Sequence, residues 1–156
     1  MIAVHLAQLN IATPRYPTDD SRMTDFMVAL DRINAVADAS PGFVWRLVGD
    51  DSNNATDLRA QHGDREVMVN MSVWTDRDAL RAYVYRSEHL DFLRRRTEWF
   101  DAPDGEFIVL WWVPDGHLPT VDEAIAQLDT LSRNGPTPEA FTFRHHFDAP
   151  NLETTQ

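Results

Sequence analysis

Apolar and polar positions alternate over residues 2–12 (IAVHLAQLNIA), which predicts a strand. His5, Ala7, Leu9 and Ile11 fall on one face and Val4, Leu6, Gln8 and Asn10 on the other. Over 23–39 the period changes: Phe26, Met27, Leu30, Ile33 and Val36 recur at helical spacing, with Ser21 or Thr24 placed to cap and Ser40-Pro41-Gly42 to stop the helix. A short run at 43–48 (FVWRLV) reads as a strand, and 49–64 as a long polar hairpin loop. The cleanest alternation is 66–74 (EVMVNMSVW), with Val67, Val69, Met71 and Val73 opposed to Met68, Asn70, Ser72 and Trp74. Thr75 to Asp78 reads as a capping box that opens one long helix over 76–100. The apolar run 106–113 (EFIVLWWV) predicts a strand, Thr120 with Glu123 caps a helix over 121–133, and 141–147 (FTFRHHF) predicts a last strand.

The predicted order is βαββαβ followed by an added αβ element. That is an α+β chain with the ferredoxin-like arrangement, a single domain over 1–150, and a frayed tail at 151–156. A sheet of this kind is expected to carry helices on one face only. Its other face, rich in Val, Met, Phe and Trp, needs a cover, and face-to-face pairing of two copies supplies one. A homodimer is therefore expected.

Composition narrows the chemistry. The 156 residues carry a formal charge of −11, which disfavours a nucleic-acid partner. Cysteine is absent and all 14 basic residues are arginine, so thiolate nucleophiles, iron–sulfur ligation and lysine Schiff bases are excluded. No stretch is long and apolar enough to span a membrane, and the first residues do not read as a signal peptide, so a cytoplasmic location is expected. No phosphate loop and no Gly-x-Ser-x-Gly elbow is present.

Five stretches taken together resemble the DUF3291 family, bacterial proteins of the dimeric α/β-barrel superfamily. They are SPGFVW (40–45), NMSVW (70–74), YRSEHLDFLRRRTEWF (85–100), LWWVPDGHLPT (110–120) and GPTPEAFTF (135–143). The resemblance implies the fold, the dimer and a pocket between sheet and helices. Its superfamily also holds cofactor-independent antibiotic-biosynthesis monooxygenases and haem-binding members. It implies no catalytic residue.

The candidate chemistry starts on the long predicted helix. Tyr85, His89, Phe92, Arg96 and Trp99 follow spacings of 4, 3, 4 and 3 and so share one face. An inward stripe that holds Tyr, His and Arg needs hydrogen-bond partners. Those partners are either structural neighbours or a ligand. Gln8 and Asn10 on the first strand, and Asn70, Ser72 and Trp74 on the third, are polar or amphipathic positions inside apolar runs. They form either an amide network that sets register or, facing the helices, the polar points of an apolar pocket. Trp111 and Trp112 must face opposite sides of one strand, one toward the pocket and the other toward a dimer face. His89 is the candidate general base, with Asn70, Gln8 and Arg96 orienting an anion.

Three readings stay open at this point. The first is an enzyme resembling a cofactor-independent monooxygenase, acting on an apolar or aromatic metabolite. The second is a non-catalytic binder of such a metabolite or of haem. The third is a dimeric interaction module with no small ligand. No cofactor is expected beyond that haem alternative, for which His, Tyr or Met would be the axial ligand. No metal site is expected, because His145 and His146 face opposite ways and no ligand spacing appears. His117 is expected to anchor its turn.

Overall fold

The elements of the computed structural model, which describes residues 3–50 and 52–150, follow the order β1 (Val4–Ala12), α1 (Thr24–Ala39), β2 (Phe43–Arg46), β3 (Arg59–His62), β4 (Arg65–Trp74), α2 (Arg77–Arg86), α3 (His89–Arg94), α4 (Arg96–Trp99), β5 (Ile108–Pro114) and α5 (Val121–Asn134). A single 3₁₀ turn, Ser21–Met23, precedes α1. The expected tail at 151–156 lies outside the described residues.

The sheet is antiparallel in the order β2-β4-β1-β5. β1 lies along one edge of β4, pairing Leu6 with Trp74 through to Ala12 with Met68. The other edge is shared. β2 takes Trp74, Val73 and Ser72, and β3 takes Met68 through Arg65. β2 and β3 are thus two pieces of one edge strand, parted by residues 47–58. The chain is α+β with the ferredoxin-like strand order. The added element is α5 followed by a single bridge pair, Leu110 with Phe141, rather than a strand over 141–147.

Register decides the faces. Ala7, Leu9, Val69, Met71, Val73 and Trp111 form one face, fully buried under Ala124, Leu128 and Leu131 of α5. This corrects the expectation of a one-sided sheet. The Val, Met and Trp face is covered by the chain's own last helix, because the turn at Pro114–Pro119 brings α5 back across β5, β1 and β3. The homodimer expected from an open apolar face loses that ground among the described residues.

The opposite face carries α1 to α4. Leu6, Trp74, Leu80, Leu110 and Phe141 pack as one cluster there, and Met23, Phe26, Met68 and Trp99 as another. Between the two clusters the β1–β4 floor keeps Gln8, Asn10, Asn70 and Ser72.

The helix expected over 76–100 is three helices. Asp76, not Thr75, is the cap, its carboxylate accepting from the Ala79 amide at 2.8 Å. The chain then turns extended at Ser87 (φ −118°, ψ −175°). The Ser87 hydroxyl donates to the Tyr83 carbonyl and accepts from the His89 amide at 3.2 Å. A serine that satisfies the backbone on both sides of itself competes with the helical ladder and ends it. Across the gap, the Arg32 guanidinium holds Glu88 with Nε at 2.5 Å and a terminal nitrogen at 2.7 Å.

Candidate functional site

A cleft of about 630 Å³ lies between the β1–β4 floor and the wall made by α1 to α4. Gln8 and Asn10 of β1 and Asn70, Ser72 and Trp74 of β4 line it from the sheet. Tyr85, His89 and Arg96 line it from the wall. The pairing of β1 with β4 puts these residues on one face, and α5 packed on the opposite face leaves this one to α1–α4. Asn70 is exposed in mid-strand, so the cleft opens to solvent at that point.

Two residues expected in the pocket lie elsewhere. Trp99 is buried behind the wall, its ring 5.5 Å from Phe26 and 5.2 Å from Phe92. Trp111 is on the other face of the sheet under α5, its indole nitrogen donating to Glu123 at 3.3 Å. Trp112 does not line the cleft either. It packs near Phe141 and donates to the Phe147 carbonyl at 3.0 Å. His117 anchors its turn as expected, with Nε2 2.7 Å from the Glu123 carboxylate.

The floor is hydrogen-bonded internally. Gln8 and Ser72 are direct cross-strand partners, and the Gln8 amide nitrogen donates to the Ser72 hydroxyl oxygen at 3.0 Å. The Trp74 indole N–H donates to the same oxygen at 2.8 Å. Asn10 and Asn70 are the next pair on the same face.

The wall is aromatic. Tyr83 stacks on Trp74 at 5.0 Å and 25°, and His89 sits 4.8 Å from Tyr83 and 6.0 Å from Phe92. Burial pushes the Tyr83 hydroxyl well up, so it stays a neutral donor. His89 Nδ1 lies 3.3 Å from the Val84 carbonyl. A carbonyl only accepts, so Nδ1 carries the proton and Nε2 keeps its lone pair. Burial lowers the imidazole pKa from 6.5, against the smaller upward pull of that carbonyl. His89 is therefore neutral at pH 7. Arg96, by contrast, is exposed and donates to the Leu93 carbonyl at 3.0 Å. Tyr85 is also exposed, edge-on to Phe143.

Tyr83 and Arg46 are cleft residues that the sequence pattern does not single out. Tyr83 was hidden because it lies outside the Tyr85–His89 stripe of a continuous helix. Arg46 sits in register beside Ser72, its side chain held by Asp38 at 2.8 Å. Its signal in the sequence is a charge inside the apolar run FVWRLV.

Among the described residues no cluster of His, Asp and Glu could hold a metal ion. The charges around the cleft are mostly acidic, and Arg96 is the lining arginine that no carboxylate neutralises among the described residues. Asp64, Asp101, Asp104 and Glu106 line it, Arg65 pairs with Asp104, and Arg46 pairs with Asp38, so the two propionates of a haem would have Arg96 alone to meet.

The family model described as "Domain of unknown function (DUF3291)" matches residues 5–156. Among curated proteins, none matches the chain in sequence. Among solved structures, the chain is similar to a mutant form of SnoaB, a cofactor-independent oxygenase from Streptomyces nogalater. That match has 19% identity and a TM-score of 0.44, covering 76% of this chain and 98% of that one. A protein of unknown function from Nitrosomonas europaea matches at 13% identity and a TM-score of 0.44, covering 77% and 99%. A second structure of SnoaB matches at 18% identity and a TM-score of 0.34, covering 77% and 96%. At such identities and scores no residue role transfers to this chain.

Proposed function

We propose that this chain, which belongs to the DUF3291 family, binds a small, largely apolar molecule in the cleft and removes a proton from it with His89. The observation that carries this reading is the state of the His89 ring. Its Nδ1–H is engaged by Val84, its Nε2 has no hydrogen-bond partner among the described residues, and burial keeps it unprotonated at neutral pH.

A base held below its ordinary pKa is a weak one. It suits a substrate whose proton is already acidic, such as a phenol or a doubly activated ketone. In the step, the C–H or O–H bond breaks and its electron pair stays on the substrate as an enolate or phenolate. The proton moves to Nε2, and the Nδ1–H to Val84 contact stabilises the imidazolium. The oxygen-dependent version takes dioxygen as co-reactant. The carbanion of a CH₂ group gives up its electron pair to form a C–OO⁻ bond, His89 returns the proton, and loss of water leaves C=O. One oxygen atom ends in the product and one in water.

The packing of His89 against Tyr83 and Phe92 favours a second reading, a binding protein without turnover in which the ring is a wall. Oxygen uptake and product formation over a panel of phenols and doubly activated ketones separate the two, with binding followed independently. The first reading expects His89→Ala to keep binding and to lose about 10²–10⁴-fold in turnover. Binding without turnover in the unaltered protein establishes the second.

A further inference from the structure

Ser72 is set into the cleft floor with its hydroxyl oxygen accepting two hydrogen bonds. A serine hydroxyl has two lone pairs and one proton. Here both lone pairs are spoken for. The Trp74 indole N–H, which can only donate, lies 2.8 Å from the Ser72 oxygen, and the Gln8 amide nitrogen lies 3.0 Å from it. Both donors are fixed by the sheet. Gln8 is the direct cross-strand partner of Ser72, and Trp74 is two residues along the same strand and face. Trp74 itself is fully buried and locked by Phe43 and Tyr83.

We infer that Ser72 is a one-way hydrogen-bond donor to the ligand, and that the cleft selects a molecule whose inward end is a carbonyl, enolate or phenolate oxygen. With both lone pairs occupied, an incoming N–H or O–H meets a hydroxyl that cannot accept it. A buried donor left unpaired is costly, so the discrimination is steep. An incoming oxygen takes the Ser72 proton instead. Two donors polarise that hydroxyl and strengthen the bond it gives. The Arg46 side chain, next to Ser72 in the strand register, is neutralised by Asp38 and so brings no free charge to this point of the floor. The inference rests on the cleft being a ligand site and adds the class of group it reads.

The test uses two shape-matched probes without ring currents: cyclohexanone, which only accepts, and methylenecyclohexane, which does neither. The Trp74 indole proton, assigned with Trp74→Phe, reports on the Ser72 oxygen directly. Cyclohexanone is expected to bind about tenfold tighter than methylenecyclohexane, the factor of one net hydrogen bond. It is also expected to move the Trp74 indole proton downfield, which methylenecyclohexane does not. Ser72→Thr keeps the hydroxyl and is expected to keep that response. Ser72→Ala is expected to lose it. Equal affinities with no selective Trp74 response, or a response unchanged in Ser72→Ala, overturn the donor assignment while leaving the cleft as a binding site. Failure of both probes to reach cleft residues overturns the binding reading and this inference with it.

Discussion

The Nδ1 of His89 and the carbonyl of Val84 are 3.3 Å apart across the break at Ser87, so one backbone oxygen sets the tautomer of the one histidine on the cleft's aromatic wall. That contact exists only because the helix stops. In an unbroken helix the Val84 carbonyl would be taken by the amide of Glu88.

Burial lowers the His89 pKa from 6.5, which gives its contribution to stability a definite sign. The unfolded chain takes up a proton as the pH falls through about 6.5, and the folded protein resists doing so. Stability is therefore intact above that pH and is lost below it. The urea midpoint is expected to fall between about pH 7.5 and 5 more steeply in the unaltered protein than in His89→Gln. Identical slopes would mean that the ring is not buried as described. The difference between the two proteins removes the other histidines from the comparison.

Gly42 is expected to tolerate no side chain. Its φ is +82°, and a Cβ there would lie 2.5 Å from the Ala79 Cβ and 2.6 Å from the Thr75 hydroxyl. Its carbonyl also accepts from the Thr75 amide at 2.8 Å. Gly42→Ala combines left-handed strain with a clash against α2 and is expected to cost about 2–4 kcal/mol in urea unfolding. A loss under about 1 kcal/mol would show that α2 can move away from the turn.

Trp111 and Trp74 lie on opposite faces of the sheet, and their variants should behave oppositely toward a ligand. Trp111→Phe, under α5, is expected to lower stability by about 1–3 kcal/mol through lost packing and the lost bond to Glu123. It is expected to leave cyclohexanone affinity within about twofold. A large change in affinity would place the working face of the sheet under α5 instead.

How much of this was legible in the sequence varied with the kind of interaction that fixed each element. Strand β4 was plain, because one face of Val67 to Val73 is buried throughout and alternation records that. The α5 cap was plain because Thr120 and Glu123 act within one turn, at 3.1 Å. The stripe Tyr85–His89–Arg96 had the right spacing for the wrong reason. Those residues do line the cleft, but on three short helices, since Ser87 ends the first through its own hydroxyl, which no periodicity registers. Strand β3 lies inside the expected loop over 49–64, because RAQH has no apolar alternation and is a strand only by pairing with β4. Run 141–147 failed the other way. It alternates well, yet only Phe141 pairs with a strand, and Thr142 bonds back within the run to the His145 carbonyl at 3.3 Å. For Trp111 and Trp112 the sequence showed that they oppose each other. Which side faced the cleft depended on where α5 came to rest, a long-range fact.

Leu128 is completely buried between α5 and the sheet. Leu128→Glu puts a charge into that seam and is expected to unseat the helix and bare Val69, Met71 and Val73. Sedimentation should then show concentration-dependent self-association, and the unfolding midpoint should fall by at least several degrees. Retention of both the midpoint and the original sedimentation behaviour would show that α5 does not cover this face.

A cover carried on the same chain is also exempt from dilution. A face closed by a second molecule opens as the protein is diluted below the dissociation constant of the pair. The one under α5 is closed by a segment tethered a few residues from β5, whose effective concentration does not depend on how much protein is present. The Val, Met and Trp side chains thus remain dry in a cell that holds very few copies of this chain, and the cleft on the other face keeps its floor there too.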